Sequence, residues 1–230
     1  MTPLVLLPGM MCDARLFGPQ ISAIQEGRAV HVAEMRADTV GAIASDILTT
    51  APERFALAGL SMGGIVAMEI LRQAPQRIER IALLDTNPLA ETADVQARRE
   101  PQIAQVRDGG LERVMRDEMK PNYLTDGPKR DRILVLCMEM AQNLGPDVFV
   151  AQSRALQSRP DQCDTLRNSA IPTLILCGRD DRLCPVSRHV LMHDLMPHAT
   201  LEIIQKAGHL PTLEQPQHTT AAMLRWLDAA

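Results

Sequence analysis

The stretch FALAGLSMGGIVAMEIL, which spans Phe55–Leu71, joins a short apolar run to a longer segment of helical period. Between the two parts, the pentapeptide GLSMG, centred on Ser61, has the form G-x-S-x-G. A sharp turn from strand to helix needs glycine on both sides of its central residue, because side chains there would collide with the neighbouring turn. Such a turn lifts the serine clear of the sheet, at a helix N-terminus that favours negative charge. We therefore predict a strand, a tight turn and a helix, with Ser61 as a nucleophile.

Apolar runs and amphipathic stretches alternate along much of the chain, and this pattern is typical of parallel strands connected by helices on both faces of a sheet. Pro, Gly or Asp signals bracket each expected helix. The sequence therefore predicts an α/β fold with a mostly parallel sheet of about six strands. The predicted strands are Leu4–Leu7, Val30–Ala33, Phe55–Ala58, Ile81–Leu84, Thr173–Cys177 and Leu201–Ile204, and the predicted helices between them are Pro19–Glu26, Val40–Thr49, Met62–Gln73, Val186–Met196 and Gln217–Leu227.

One long interval, from Asn87 to Ala170, contains no convincing strand pattern. Helical patterns such as LERVMRDEMK and RDRILVLCMEMAQNL are separated there by turn signals. The interval is too long for a loop in a compact domain unless it has structure of its own. We therefore predict an all-helical insertion between the fourth and fifth strands.

The composition is that of a globular protein, with 46% hydrophobic and 23% charged residues. The formal net charge of −4, without a cluster of basic and aromatic side chains, argues against a nucleic-acid partner. No segment approaches the about 20 apolar residues of a membrane span, and the N-terminal run is too short for a signal peptide. Five cysteines without a CxxC pair are expected to be free thiols. These features predict a cytoplasmic protein with no membrane span.

A serine hydroxyl needs a base to act as a nucleophile at neutral pH, and a carboxylate to orient that base. His209 follows the last predicted strand and a glycine, so we expect it on a loop at the carboxyl edge of the sheet, where ligands bind in open α/β sheets. His189 and His193 have the i, i+4 spacing of a helical metal site, but without a third ligand a solvated helix face is the favoured interpretation. A structural role is expected for His31, which lies within a predicted strand, and solvent exposure is expected for His198 and His218, which lie in polar connections.

The candidate carboxylates, Asp180 and Asp181, stand side by side in the segment GRDDRLCP. The preceding strand is expected to end near Cys177, so the acid must reach inward from the turn toward the histidine loop. Adjacent residues in an extended turn rarely face the same way. One of the two aspartates is therefore expected to orient the histidine, and the residues alone leave open which one.

These segments resemble the α/β-hydrolase superfamily, in its cap-bearing esterase and lipase-like branch. GLSMGG, GRDDRLCP and AGHLPTLEQP are similar to the family's three signature regions, in its chain order of nucleophile, acid and histidine. LVLLPGMMCD resembles the family's oxyanion loop after the first core strand. The resemblance covers essentially the whole chain. It implies an α/β-hydrolase core at residues 1–86 and 171–230, with a helical cap at residues 87–170.

The resemblance also implies roles for single residues. Relatives commonly show Gly-x-x-Asp-x-x-x-Pro at the acid turn, which selects Asp181 over Asp180 as the partner of His209. The backbone N–H groups of Met10 and Met62 would form the oxyanion hole, which binds the negative charge of the reacting carbonyl oxygen.

Two departures from the family pattern accompany these implied roles. Pro8-Gly9 stands where many relatives carry His-Gly, although backbone donors do not depend on that side chain. The first predicted strand leads directly into the oxyanion loop, without the antiparallel hairpin of many relatives, so we expect the smaller sheet of about six strands.

Cys12 lies near the oxyanion loop. A small, buried, apolar role is the favoured interpretation for its thiol.

The expected activity is hydrolysis of a carboxylic ester with a small or aliphatic acyl group, through an acyl-enzyme formed on Ser61. The same residues would also suit a thioesterase or carrier-protein methyl esterase, a lactonase, a C–C bond hydrolase or a perhydrolase. A ligand-binding receptor or scaffold that retains the fold is the alternative from another class. No metal or other cofactor is expected, because G-x-G-x-x-G and Walker motifs are missing.

The substrate pocket is expected between the sheet edge and the helical insertion, which is rich in Met, Leu and Val. Four arginines of that insertion could recognise a carboxylate or a phosphopantetheine group, but a solvated helix face is the favoured interpretation for each. They are Arg98, Arg99, Arg113 and Arg116.

Overall fold

Six strands form one sheet in the computed structural model, which describes residues 1–229. In chain order they are β1 (Leu4–Leu7), β2 (Val30–Val32), β3 (Phe55–Leu60), β4 (Ile78–Leu84), β5 (Thr173–Gly178) and β6 (Thr200–Ile204). Every neighbouring pair is parallel, and the spatial order is β2-β1-β3-β4-β5-β6. The prediction of a mostly parallel sheet of about six strands is confirmed.

The strand order reverses between β1 and β3, which lie side by side with Leu7 opposite Gly59. The chain first builds outward from β1 to β2, and then continues on the other side of β1 with β3 to β6. Ligands of open α/β sheets bind where the strand order reverses, at the carboxyl ends of the strands. The loop after β1 and the turn after β3 leave the sheet at this point, so the fold places the two predicted site segments together.

Helices cover both faces of the sheet. They are α1 (Gly18–Ile24), α2 (Val40–Thr50), α3 (Met62–Gln73), α4 (Ala93–Gln105), α5 (Leu111–Arg113), α6 (Arg130–Gln157), α7 (Cys163–Arg167), α8 (Val186–Leu195), α9 (Pro211–Glu214) and α10 (Pro216–Asp228). Alternate strand residues enter two separate cores: Val5 packs in the same core as Ile65 of α3, whereas Leu6 packs in the same core as Met223 of α10. This alternation follows from the two-residue period of a strand.

Two strands are longer than the sequence predicted by two residues or more. β3 continues past Ala58 because Gly59 and Leu60 still pair with β4, and β4 begins at Ile78 instead of Ile81. A glycine in an apolar run suggests the end of a strand. Here Gly59 does not end the strand. Glycine occupies this position because the next turn approaches too closely for a side chain.

The interval between β4 and β5 is helical. It contains α4 to α7, with π-helical turns at Val106–Gly110 and Val114–Met119 and a 3-10 turn at Lys120–Asn122. Gly145 interrupts α6 with φ 82° and ψ 174°, directly before Pro146. The prediction of helices without a strand agrees with this part of the described chain, and the division at residues 87 and 170 stays a prediction.

The sequence-based expectation that no segment approaches a membrane span needs a correction. α6 contains an 18-residue window with a mean hydropathy of 1.3, so it is long and apolar enough by length and composition. The core helix of a soluble protein passes the same test, and Cys137 and Met140 of α6 are fully buried in this structure. The break at Gly145 also leaves two pieces that are each shorter than the about 20 residues of a span.

Candidate active site

Ser61 lies in a strained turn between β3 and α3. Its φ of 56° is one that residues with side chains rarely adopt. Its N–H donates to the carbonyl oxygen of Leu84 at 2.9 Å, and its own carbonyl oxygen accepts from the Thr86 hydroxyl at 2.7 Å. A Cβ at Gly59 would lie only 2.2 Å from the carbonyl oxygen of Gly63. The two glycines therefore allow the tight turn that presents Ser61 at the start of α3.

His209 lies on the loop between β6 and α9, at the carboxyl edge of the sheet. Its Nε2 is 2.9 Å from the Oγ of Ser61. Its backbone N–H donates to the carbonyl oxygen of Tyr123 at 2.7 Å, and its side chain is 4% exposed. The structure thus brings together two residues that are 148 positions apart in the chain.

Asp181 completes this hydrogen-bonded series, with its Oδ2 2.8 Å from the Nδ1 of His209. Its Oδ1 accepts from the N–H groups of Leu183 at 2.8 Å and Cys184 at 3.0 Å. Burial acts to raise the pKa of Asp181, but the charge and hydrogen bond of His209 and these two N–H groups outweigh it and lower the pKa. An ionised Asp181 requires the proton of His209 on Nδ1, which leaves Nε2 free to accept the Ser61 proton. The neighbouring Asp180 is exposed.

Asp85, directly after β4, is a buried carboxyl that the sequence analysis did not select. Its Oδ1 accepts from the N–H of Gly178 at 2.8 Å, whereas its Oδ2 is buried without a donor among residues 1–229. Burial, followed by the negative charge of Asp181, raises the pKa of Asp85 well above its usual range. A protonated Asp85 can donate to Asp181, which satisfies both groups. The signal in the sequence was an aspartate at the end of the apolar run IALLD.

Glu214 in α9 is a second carboxylate that the sequence analysis did not select. Its Oε2 accepts from the N–H groups of Gly208 at 2.9 Å and Leu210 at 3.2 Å, on either side of His209. Its Oε1 accepts from both the N–H and the hydroxyl of Thr125 at 2.9 Å. Glu214 therefore ties the histidine loop to the helical interval.

The loop after β1 lies close to the serine turn, because a Cβ at Gly9 would be 3.6 Å from the Cβ of Ser61. Within residues 1–229, the backbone N–H groups of Met10 and Met62 donate no hydrogen bond. Met11 has a φ of 55°, and its N–H donates to the side chain of Gln152 at 2.8 Å. Gln152 of α6 therefore holds the loop in this conformation, and no local motif marked it in the sequence.

Comparison with known proteins identifies the family of the chain. A model of the alpha/beta hydrolase family matches residues 4–223. The chain belongs to the alpha/beta hydrolase family. A pimeloyl-[acyl-carrier protein] methyl ester esterase from Pectobacterium carotovorum is 25% identical to this hydrolase, over 99% of this chain and 95% of that protein.

Solved structures of esterases and hydrolases share the fold. A malate-bound thermophilic esterase from Thermogutta terrifontis superposes with a TM-score of 0.90 and 26% identity, over 99% of this chain and 89% of that chain. An enol-lactonase from Burkholderia xenovorans LB400 has a TM-score of 0.87 and 19% identity, over 99% and 92% of the two chains. The likeness to the enol-lactonase supports the fold alone. The likeness to the thermophilic esterase, together with the family match, identifies the chain as a hydrolase.

Ser61 and His209 line a cavity of about 650 Å³ in this hydrolase, together with Met10 and Met62. Residues of the helical interval line the other side, among them Met119 and Leu156. Of the four arginines noted in the sequence, Arg98 and Arg99 line the cavity, and Arg113 and Arg116 do not. A larger cleft, of about 1150 Å³ between α4 and α6, contains none of these site residues.

The remaining histidines separate into buried and exposed groups. The prediction of a solvated face is wrong for His189, which is fully buried and accepts from the Thr86 N–H at Nε2 over 3.1 Å. Burial lowers the pKa of His189 to about 4. His193 is half-buried, and the expected structural role does not suit His31, which is exposed on β2. The last two, His198 and His218, are exposed as predicted.

The cysteines do not offer a second nucleophile or a good metal site. Burial raises the pKa of the Cys12 thiol to about 12, in agreement with its predicted buried role. Ligand atoms of Asp181, Cys184 and His209 lie within 4.8 Å of one another. Burial raises the pKa of Cys184 well above its usual value, and Asp181 already uses both oxygens, so these atoms suit the hydrogen bonds better than a cation.

Proposed function

We propose that this hydrolase cleaves carboxylic esters through an acyl-enzyme on Ser61. The observation that carries the proposal is the series of hydrogen bonds from Ser61 Oγ through His209 to Asp181, at 2.9 Å and 2.8 Å. The family membership and the esterase relatives support it.

In the first half of the proposed reaction, Ser61 Oγ attacks the acyl carbon of the ester while His209 Nε2 takes its proton. Asp181 stabilises the imidazolium that forms. The N–H groups of Met10 and Met62 donate to the developing oxyanion, a kind of contact worth about 3 kcal/mol for each donor. His209 then gives its proton to the alcohol that leaves.

In the second half, water replaces the alcohol. His209 takes a proton from the water, the hydroxide attacks the acyl carbon, and the acid departs as Ser61 regains its proton. The net reaction adds one water across one ester bond. Because Asp181 and His209 are both nearly inaccessible, their hydrogen bond is protected from exchange with solvent.

We propose a small or aliphatic acyl group for the substrate. The cavity offers methionine, leucine and isoleucine side chains beside Ser61, which suit an apolar chain. We further propose that residues 87–170 form a cap over a core of residues 1–86 and 171–230, because both parts line the cavity. The five cysteines are free thiols, which supports a cytoplasmic location.

A carrier-protein methyl ester is the second candidate substrate. It is favoured by the esterase relative named for such a substrate, which matches this chain over nearly its whole length at 25% identity.

A neutral fluorophosphonate probe tests the proposal, with mass spectrometry to locate the adduct. We expect rapid labelling of Ser61 in the wild-type hydrolase, and neither labelling nor ester turnover in Ser61→Ala. Retention of full esterase turnover by that variant would refute the assignment. A panel of p-nitrophenyl esters, acyl-CoA thioesters, lactones and a carrier-protein methyl ester then separates the substrate classes.

A further inference from the structure

The cavity beside Ser61 has an excess of positive charge. Its lining includes five arginines and two glutamates, although the whole chain carries a formal net charge of −4. The arginines are Arg98, Arg99, Arg159, Arg182 and Arg188, and the glutamates are Glu91 and Glu118. A pocket for a purely apolar ester has no need of this charge.

Three of these arginines, which we name the arginine cluster, are Arg99, Arg159 and Arg188. Arg99 donates to Glu91 through Nε at 2.6 Å and through Nη2 at 2.9 Å, and Arg159 lies 3.3 Å from the same carboxylate. The side chains of Arg99 and Arg159 are 14% and 11% exposed, and that of Glu91 is 2% exposed. One buried carboxylate therefore pairs with two guanidinium groups that are largely, but not fully, buried.

Arg188, on α8, is the third member and has no such partner. Within residues 1–229 its guanidinium group makes no ion pair or hydrogen bond, and the residue is half-buried. All three arginines line the same cavity. Burial lowers the pKa of Arg159, the Glu91 carboxylate acts to raise it, and the charges of Arg99 and Arg188 act to lower it. Uncompensated charges of one sign in a partly buried site are costly unless an opposite charge joins them.

An anionic oxygen group would provide that opposite charge. A guanidinium group matches a carboxylate or a phosphate with two parallel hydrogen bonds. Glu118, the other acid of the cavity, does not fill this role, because it is exposed and accepts from the amide of Gln102 at 3.0 Å. Asp181 lies behind His209 and is already fully bonded.

We infer that the arginine cluster binds an anionic oxyacid group, a carboxylate or a phosphate, on the substrate of this hydrolase. This inference rests on the proposed ester hydrolysis at Ser61 and defines the substrate class further. The preferred substrate carries its scissile ester at Ser61 and a second, ionised acidic group that reaches the arginine cluster. The chemistry at the ester bond is unchanged, since one water adds across it as in the proposed function.

Matched substrates test the inference. Monomethyl adipate and methyl hexanoate have the same acyl length, but the first ends in a carboxylate and the second in a methyl group. We expect kcat/KM to be at least about tenfold higher for monomethyl adipate, although a purely apolar pocket would prefer methyl hexanoate. The methyl ester of 6-phosphonooxyhexanoic acid is the third substrate, and the anionic ester with the higher kcat/KM identifies the group as carboxylate or phosphate.

Arg188→Gln is the test variant, because the Arg188 guanidinium group pairs with no other side chain in the described part of the chain, whereas loss of Arg99 or Arg159 would remove a partner of Glu91. We expect it to lower the ratio of the two kcat/KM values at least about fivefold, and Arg188→Lys to restore part of that ratio. Arg113→Gln is the matched control, since Arg113 binds Gln105 away from the cavity. We expect the control to leave the ratio unchanged.

Failure of this inference can be separated from failure of the proposed function. A wild-type ratio near one, or an equal ratio in Arg188→Gln, overturns the arginine cluster as an anion site while Ser61 labelling and ester turnover stand. If the wild-type hydrolase cleaves neither ester and the fluorophosphonate does not label it, the proposed function fails. Calorimetric titration of Ser61→Ala with monomethyl adipate then tests the anion site without turnover. Binding that becomes weaker when Arg188→Gln is added to Ser61→Ala supports the anion site, and the absence of binding overturns it.

Discussion

The carbonyl oxygen of Tyr123 accepts a hydrogen bond of 2.7 Å from the backbone N–H of His209. The Tyr123 ring also lies edge-on to the imidazole, with the ring centroids 5.5 Å apart and the planes at 66°. Gly208 permits this approach, because a Cβ there would lie 2.7 Å from the same carbonyl oxygen and 3.2 Å from the Cα of Leu124. The orientation of His209 therefore depends on a segment that belongs to the proposed cap.

Gly208→Ala is predicted to impair catalysis by moving His209. The new methyl group must displace the backbone at Tyr123 or the histidine loop, because neither contact is with a flexible side chain. Displacement of a catalytic group by a fraction of an ångström is costly, so we expect kcat/KM for a p-nitrophenyl ester to fall at least about tenfold. The thermal unfolding midpoint is expected to fall as well.

Gly18→Ala is the control for this substitution. Gly18 has helical dihedral angles, and beyond its own helix and chain neighbours no atom of residues 1–229 lies within 4 Å of the added Cβ, so alanine fits without strain. We expect unchanged turnover and a stability equal to or up to about 1 kcal/mol above that of the wild-type protein. Wild-type activity in Gly208→Ala would contradict the proposed link between Tyr123 and His209.

The two adjacent aspartates are predicted to differ sharply in their effect on turnover. Asp181→Asn keeps the shape of the side chain, but it removes the charge that holds the His209 proton on Nδ1. We expect kcat to fall about 10³-fold to 10⁴-fold, without a comparable loss of stability. Asp180 is exposed, so Asp180→Asn is expected to stay within about twofold of the wild type. The reverse order of effects in steady-state assays would transfer the role to Asp180.

Local sequence could predict those residues of the site whose backbone conformation requires particular neighbouring residues, such as glycine. Ser61 stands between glycines that the turn needs, and His209 follows a strand and a glycine. The side chains that support them, Asp85, Glu214 and Gln152, come from separate elements with no shared motif. Their partners are decided by tertiary packing, which the two-residue and 3.6-residue periods do not encode.

His189 shows the same limit in the fold. Its i, i+4 spacing from His193, without a third metal ligand, favoured a solvated helix face. In the structure α8 lies against β5, and the imidazole of His189 reaches the N–H of Thr86 after β4. A single buried polar contact of this kind is decided by the neighbouring strand and leaves no periodic signal in its own helix.

Asp85 is predicted to tolerate asparagine and not alanine. In Asp85→Asn the amide oxygen still accepts from Gly178, and the amide N–H can replace the proton that Asp85 offers to Asp181. Asparagine also tolerates the φ of 43° at this position. Asp85→Ala leaves the buried N–H of Gly178 without a partner, which costs about 1–3 kcal/mol.

Urea unfolding and steady-state kinetics together measure this difference. We expect Asp85→Asn to retain both stability and kcat, and Asp85→Ala to lower the unfolding midpoint and reduce kcat by disturbing Asp181. A severe loss of kcat in Asp85→Asn would show that an ionised Asp85 is required, which contradicts the protonated carboxyl inferred from its raised pKa.

His189 is predicted to make the fold sensitive to acid. Burial lowers its pKa to about 4 in the folded protein, from 6.5 in an unfolded chain, so between these values the unfolded chain binds more protons. The stability that depends on neutral His189 is therefore fully present above about pH 6.5, and it is lost as the pH falls toward about 4. Between about pH 7 and about pH 5, His189 accounts for a loss of about 2 kcal/mol in the free energy of unfolding.

His189→Gln tests this sensitivity, because it removes the titration and can keep an acceptor for the Thr86 N–H. We expect the free energy of unfolding of the variant to fall by less between these two pH values. Urea denaturation of both proteins at the two pH values measures the difference, and parallel losses would show that His189 is already protonated or exposed in the native state.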